Sequence, residues 1–388
     1  MPAGAAEASS ASGVTVRPVA GRADLAAFIE LPWSLHTRGS AWVPPLRVER
    51  RLHLSRHNPF FEHGISASWL AWRDRQPVGR ITAQVDQLYR DRHGADAGQF
   101  GFLEAHDDPA VFAALLQVAE TWLREQGSRE ITGPFNYSIN QECGVLVEGF
   151  DTPPSVMMAH NPCWYGSRLE EQGYAHAKDL LAYWVEVKFA APGAMQRLVN
   201  RYARRVRLRV LDRARFAEEL EVVRGIFNDA WSDNWGFVPW TSAEIADLGR
   251  SLRLFVPERY VQIADVDGEP TAFMVLLPNL NEILAGLDGR LWPLGWLKLL
   301  WRMRHHHFLT GRVPLMGVRK RFQNSALGIA LAFLLIHSLR VEAVKDDMQG
   351  VEMSWILEDN NGMRSILDSI GSRAYKRYRI YRKRLEAV

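Results

Sequence analysis

At 388 residues, with 47% hydrophobic and 23% charged residues, the chain has the composition of a globular protein with a real core, and its length suggests two domains. The formal net charge of +3, from 47 basic and 44 acidic residues, argues against a dedicated nucleic-acid binder. Two cysteines, Cys143 and Cys163, stand in no CxxC pair and at no zinc-ligand spacing, so neither a metal site nor a disulfide framework is expected.

The opening residues, MPAGAAEASSAS, are small and polar, and residues 1–13 are expected to form a disordered tail and not a signal peptide. Val14–Val19 reads as a strand and Gly21 to Glu30 as a helix, followed by a loop, Trp33–Pro45, held by its aromatic residues. Ala67–Trp72 and Pro77–Val85 are strands joined by the turn-like Arg73–Gln76, and Gln99–Glu104 is a third. Asp107, Asp108 and Pro109 open a helix over Ala110–Glu125, which Gly127 ends. Strand Glu130–Gly133 leads into Pro134–Gly144, where amides, a hydroxyl, a carboxylate and a thiol crowd together. That loop reads equally as a site at a strand end or as a turn. Cys143 has no histidine within the loop to activate it. A helix around Asn161–Gln172 and a strand Leu180–Val187 complete the first half.

Ala190–Gly193 reads as a linker. The arginine-rich run Arg201–Arg209 suits a solvated face or an anionic surface. Arg213–Trp231 is an amphipathic helix, and Thr241 with Glu244 forms a capping box for helix Ser242–Leu252. Between them lies a Trp-rich loop carrying Asn234, Trp235 and Phe237, read either as simple packing or as the cover of an apolar substrate. Strands Tyr260–Asp265 and Thr271–Pro278 meet at the Asp267–Gly268 hairpin turn, and the second ends in Asn279, Asn281 and Glu282. Glu282 is a candidate general base or a solvated loop acid. The segment Gly286–Gly311 mixes Trp, Leu and Met with Arg, Lys and His, as an interfacial helix does; the competing reading is a docked core helix. No run reaches the roughly 18 apolar residues of a spanning helix, so a cytoplasmic protein, peripheral on the inner membrane, is expected.

Strand Val313–Val318, the loop Gln323, Asn324, Ser325, Ala326, Leu327 and Gly328, and helix Leu327–Leu339 then follow. Free N–H groups at such a helix start can hold a phosphate. Strand Val351–Leu357 and Asn360–Asn361 lead to a short helix, and the Tyr-rich stretch AYKRYRIYRK forms a last strand.

The motif Gln323-x-x-Ala326-x-Gly328 resembles the acyl-CoA loop of GNAT N-acyltransferases, departing at Ala326. The segments ITGPFNYSINQECG, DTPP…HNP, AWSDNWGFVP and AYKRYRIYRK are similar to the bacterial ceramide synthase group of that family. The resemblance implies an α/β fold with mixed sheets in two tandem GNAT-like domains, 14–189 and 194–388. The second is expected to hold fatty acyl-CoA at Met316, Gly317, Val318, Gln323–Gly328, Asn360 and Asn361. It implies N-acylation of a lipid amine, a sphingoid base, on an anionic membrane surface, with no nucleic acid and no metal. Asn234, Trp235, Phe237, Asn279 and Asn281 are the expected acceptor contacts. Glu282 is the expected base, and Tyr378 or Tyr381 replaces the family's missing helix tyrosine as acid, with Tyr375 a further choice. The first domain, whose Glu104–Pro109 loop is acidic and lacks glycine, is expected to hold no acyl-CoA. A soluble acetyltransferase of polar amines and a non-catalytic or Fem-like tandem relative remain the other readings.

Overall fold

In the computed structural model, residues 8–9, 13–37, 39–190, 192–202 and 204–386 are described, so most of the expected N-terminal tail lies outside them. The chain divides into two compact units. Unit 1 comprises residues 1–179, 284–296 and 376–388; unit 2 comprises 180–283 and 297–375. The expected division near residue 190 differs from this one: Leu180–Phe189 falls in unit 2, and Lys376 onward falls in unit 1.

In unit 1, β1 (Thr15–Pro18) and α1 (Gly21–Glu30) precede a short helix, α2 (Arg47–His53). Strands β2 (Gly64–Arg73) and β3 (Gln76–Asp86) are joined by Asp74 and Arg75, whose φ values of 49° and 69° give the tight hairpin its twist. Next come β4 (Ala97–Ala105), α3 (Pro109–Glu125), β5 (Glu130–Gly133) and β6 (Val145–Glu148). The helix expected from Asn161 begins later, as α4 (Tyr165–Glu171), because Asn161 spends its side chain on both backbone groups of Leu146. The open mixed sheet runs β1-β2-β3-β4-β5, and the C-terminal strand pairs antiparallel with both β5 and β6. α3 lays Val111, Leu115, Ala119 and Leu123 on this sheet, against Ile81, Ala83, Phe100 and Ile131. Each such aliphatic or aromatic side chain contributes about 1.5–3 kcal/mol by leaving water.

β7 (Ala175–Glu186) enters unit 2 at Leu180. The arginine-rich run does not form one element: α5 (Gly193–Tyr202) ends in it and β8 (Val206–Val210) begins in it. Then follow α6 (Phe216–Ala230), α7 (Ser242–Leu252), β9 (Val261–Val266) and β10 (Glu269–Pro278). The capping box on α7 is present in both directions, and Asp267 and Gly268 turn β9 into β10 at φ 51° and 89°. The expected insert helix is α8 (Gly295–His305), followed by β11 (Thr310–Val318), α9 (Ala326–Lys345), β12 (Gly350–Leu357), α10 (Asn361–Ser369) and β13 (Arg373–Arg384). The sheet order within unit 2 is β7-β12-β11-β10-β9-β8.

α9 corrects the expectation that no segment is apolar enough to span a bilayer. Its 20 residues have a mean hydropathy of 1.8 over the best window, enough by length and composition. Yet 61% of that window is buried, with Leu331, Leu335, Ile336 and Leu339 packed on Met274, Leu276, Val313 and Met353. The sheet of unit 2 covers one face of the helix, while Ile329 and Val344 stay exposed.

Candidate active site

Parallel pairing of β11 with β12 runs from Thr310↔Gly350 to Val313↔Met353 and stops there. Pro314 follows immediately and has no N–H to continue a ladder. Beyond it, Leu315, Met316, Gly317 and Val318 keep their antiparallel partners on β10, while their other edge is parted from β12. This fork exposes a strand edge against which an extended amide-bearing chain can lie. Trp231 enters it, its Nε1 donating to the Met316 carbonyl at 2.9 Å.

A turn after β11 aims α9 at the fork. Gln323 donates from Nε2 to the carbonyls of Ala230 (2.9 Å) and Val318 (2.8 Å), so its side chain holds the loop in place. Asn324 sits at φ 56°, and Ser325 caps α9, its Oγ accepting the Gly328 N–H at 3.0 Å. Only glycine fits at 328, since a Cβ there would lie 2.1 Å from the Phe322 carbonyl oxygen. The N–H groups of Ala326 and Leu327 have no acceptor inside the helix, and the positive end of the dipole lies with them. Arg319, Lys320 and Arg321 precede the turn; Lys320 Nζ reaches Asp233 at 2.6 Å, and Arg319 Nε donates to the Pro270 carbonyl at 3.0 Å. Asn360 caps α10, accepting the Met363 N–H at 3.1 Å, with Asn361 exposed as its first residue. Every residue expected to hold the cofactor lies in unit 2, and the fork with the α9 start beside it can bind an extended chain ending in phosphate.

The expected catalytic groups fare differently. Glu282 is not an available base: its carboxylate accepts from His306 Nε2 (2.8 Å), Leu309 N–H (3.0 Å), Thr310 N–H (2.8 Å) and Thr310 Oγ1 (2.5 Å). Four donors on two oxygens make it the clamp that starts β11. Asn279 is tied to the same place, its Nδ2 donating to Thr310 Oγ1 at 3.0 Å. Tyr378 and Tyr381 lie in unit 1, outside the unit that carries the fork and the loop. Tyr378 is fully buried there, and Tyr381 donates to Glu170 at 3.2 Å. Burial, with the Glu170 charge beside it, pushes the Tyr381 phenol up to about 12. In the Trp-rich loop Phe237 is core, packed 5.9 Å from Phe227, and Trp240 stacks on Phe227 at 4.3 Å. Asn234 and Trp235 stay partly exposed, as does Asn281.

The sequence reading missed a buried charge cluster at the foot of the fork. Arg312 and Glu352, register partners on β11 and β12, are 1% and 0% exposed. Arg312 Nε donates to Ser354 Oγ at 2.8 Å and lies 3.6 Å from Glu352 Oε1, and Ser354 Oγ donates to that same oxygen at 2.6 Å. The guanidinium also lies 4.7 Å from the Trp355 ring centre. Tyr375, the tyrosine of the last strand that belongs to unit 2, donates its hydroxyl to Glu352 Oε2. The signal available was an Arg and a Glu each standing in a mostly apolar strand, an arrangement that rarely survives without a partner or a task.

Unit 1 has its own fork, since β4 and β5 pair in parallel only over Ala97–Gln99 with Glu130–Thr132. There the Pro134–Gly144 loop fills it as a small hairpin, Phe135–Asn136 against Glu142–Cys143. Asn136 Oδ1 takes the Phe102 N–H at 2.7 Å, and Gln84 Nε2 donates to the Phe135 carbonyl at 2.6 Å. A Cβ on Gly101 would lie 1.9 Å from that carbonyl. Glu142 pairs with Arg50 at 2.7 Å and takes Asn136 Nδ2 at 2.9 Å, so the amide of Asn136 and the carboxylate of Glu142 are spent on holding the plug. At the start of α3, Asp108 accepts the Ala110 N–H at 2.9 Å and pairs with Arg73 at 2.5 Å, placing a carboxylate where unit 2 leaves N–H groups open.

The strand fork with a helix N-terminus aimed into it, in a chain with two such forks, defines the tandem GNAT class of fold. No family model matches the chain. Among curated proteins it is 48% identical over 371 residues to Protein YghO of Escherichia coli strain K12, covering 95% of each chain. It is 45% identical over 380 residues to the bacterial ceramide synthase of Caulobacter vibrioides, covering 97% of this chain and 99% of that one. Among solved structures, a tandem GNAT protein from the clavulanic acid biosynthesis pathway covers 97% of this chain and 99% of its own, with a TM-score of 0.54 and 12% identity. A glucosamine N-acetyltransferase region in a fungal multi-domain beta-N-acetylglucosaminidase matches at TM-score 0.56 and 12% identity, over 95% of this chain and 38% of that one. The chain belongs to the bacterial ceramide synthase group of GNAT-like N-acyltransferases. It is an enzyme, an N-acyltransferase.

Proposed function

We propose that this N-acyltransferase moves a long-chain fatty acyl group from acyl-CoA to the amine of a sphingoid base, working on the cytoplasmic surface of a membrane. The observation that carries the donor half is the open fork with the uncapped N–H groups of Ala326 and Leu327 beside it. Pantetheine carbonyls take the fork-edge N–H groups of Met316 and Val318, whose own carbonyls are held by Trp231 and Gln323, and the pyrophosphate rests on the α9 terminus. The thioester carbonyl then lies against strand N–H groups that stabilise charge developing on its oxygen, while a neutral amine held alongside attacks its carbon. Unit 1, whose fork is plugged, takes no part in binding acyl-CoA.

The acceptor half rests on the likeness to the Caulobacter ceramide synthase and on the surface of α8. No residue of α8 is buried. Trp301 is 63% exposed and Leu300 52%, with Trp296 and Leu297 on the same stripe, and Trp292 just before the helix is 82% exposed. Arg302 is fastened to the Ile283 carbonyl at 2.7 Å, which turns the apolar stripe away from it. Exposed indoles and leucines, with Lys298, Arg304 and His305 on the same helix, suit a seat at headgroup depth on an anionic bilayer.

The test is incubation with acyl-CoAs of graded chain length and a sphingoid base, following free CoA. Release with long-chain donors supports the proposal, and no release with any of them ends it. Co-sedimentation with anionic vesicles checks the surface: the W296E/W301E double variant is expected to lose at least ten-fold in vesicle binding while still turning over detergent-solubilised substrate.

A further inference from the structure

We propose that Tyr375 and the buried Arg312–Glu352 pair form the proton relay of the acyl transfer, with Tyr375 as the catalytic residue and Glu352 and Arg312 as the residues that position and serve it. The proposal rests on unit 2 being the acyl-transfer unit. Its ground is where these groups stand. Arg312 and Glu352 face each other one register pair before β11 and β12 part. Arg312 bonds forward to Ser354, past the end of the shared ladder, so that its guanidinium bridges the two strands where they separate. Two fully buried charges in a sheet are costly to desolvate, and an apolar pair would hold the strands as well. Burial without a stability advantage is what a functional carboxylate requires.

The chemistry follows from the hydrogen bonds. Glu352 Oε1 is occupied by Ser354 and lies nearest Arg312, whereas Oε2 receives the Tyr375 hydroxyl. Tyr375 is partly exposed as a residue whereas Arg312, Glu352 and Ser354 are buried, so the relay meets the substrate amine at Tyr375. The Trp184 ring, 5.9 Å away and edge-on, fixes the phenol ring. As the amine nitrogen bonds to the thioester carbon, its proton passes to the Tyr375 oxygen while the Tyr375 proton passes to Glu352 Oε2. The C–S bond then breaks, the sulfur leaves with the bonding pair, and the proton returns from Glu352 through the same hydroxyl to the thiolate. Amide and free CoA thiol are the products, and every group is restored.

Tyr375→Phe removes the relay hydroxyl and keeps the ring. The expected result is a kcat at least about 100-fold lower, the range general acid–base groups supply, with KM for acyl-CoA within about two-fold and a cooperative melting transition lowered by no more than the several degrees that one lost bond to a charged acceptor accounts for. Glu352→Gln should match it in kcat. A buried pair stripped of one charge is prone to unfold, so the solvent deuterium effect on single-turnover acyl transfer by the wild type gives the second arm. A normal effect that Y375F abolishes supports the relay. A Y375F enzyme with wild-type kcat, or a wild type with no solvent effect on the chemical step, overturns it. If the wild type releases no CoA with any donor, the acyl-transfer reading itself fails, an outcome distinct from an active wild type with an indifferent Y375F.

Discussion

Gly328 and Glu282 show how single side chains set the limits of this site. Placing a methyl at 328, 2.1 Å from the Phe322 oxygen, forces the turn before α9 to open. Gly328→Ala is therefore expected to raise KM for acyl-CoA at least ten-fold, as steady-state kinetics would show. Glu282→Gln gives the opposite pattern. Hydrogen bonds to a charged acceptor contribute about 1.5–3 kcal/mol, so the variant should melt several degrees lower with kcat within about three-fold of wild type. A loss of kcat at unchanged stability would restore Glu282 as the base. Two histidines of unit 1, His36 and His160, carry a pH dependence. Burial is the main reason that both are lowered to about 4, with the charge of His160 acting on His36 and that of Lys376 on His160. Folded-state values below the ordinary 6.5 mean that the unfolded chain binds more protons between pH 6.5 and 4, so their stabilisation is full above 6.5 and is lost as pH falls through that window. Discounted for partial exposure, this is about 1–2 kcal/mol per histidine. Replacing both with Gln should flatten the fall in melting temperature between pH 7 and 5.

At the scale of elements, α7 has the plainest sequence signal, and Thr241→Ala should cost about 1 kcal/mol by removing its capping box, measurable by urea denaturation. The helices, the hairpin turns and the phosphate loop could all be read from the chain because their determinants are local: Asp267–Gly268, Thr241 with Glu244, and Ser325 three residues ahead of Gly328. The Arg312–Glu352 cluster could not, since its members stand 40 residues apart and declare themselves only when β11 and β12 come into register. Glu282 was misread for the same reason, its donors lying 24 to 28 residues away. The Pro134–Gly144 loop was ambiguous because site and plug use the same polar residues; the 2.7 Å bond from Phe102 to Asn136 makes it a plug.

Over the whole molecule, neither unit is a contiguous piece of chain. Unit 1 needs residues from the last strand, where Tyr381 pairs with Gly133 and Tyr378 with Leu146. Unit 2 needs β7, whose Leu180–Glu186 pairs with β12. Cutting at the apparent linker separates both strands from their sheets. Residues 1–189 and 194–388 expressed apart are therefore expected to be insoluble or protease-labile, whereas a full-length chain nicked near residue 190 should stay folded. Two soluble, cooperatively melting halves would contradict this.

The same exchange has a consequence during synthesis. β5 leaves the ribosome some 250 residues before the strand that completes its edge, an interval on the order of ten to fifty seconds at bacterial elongation rates. Throughout it, unit 1 presents an unpaired strand edge, the surface on which chains aggregate. A premature stop anywhere downstream, even one that spares every residue of the fork, leaves that edge open for good.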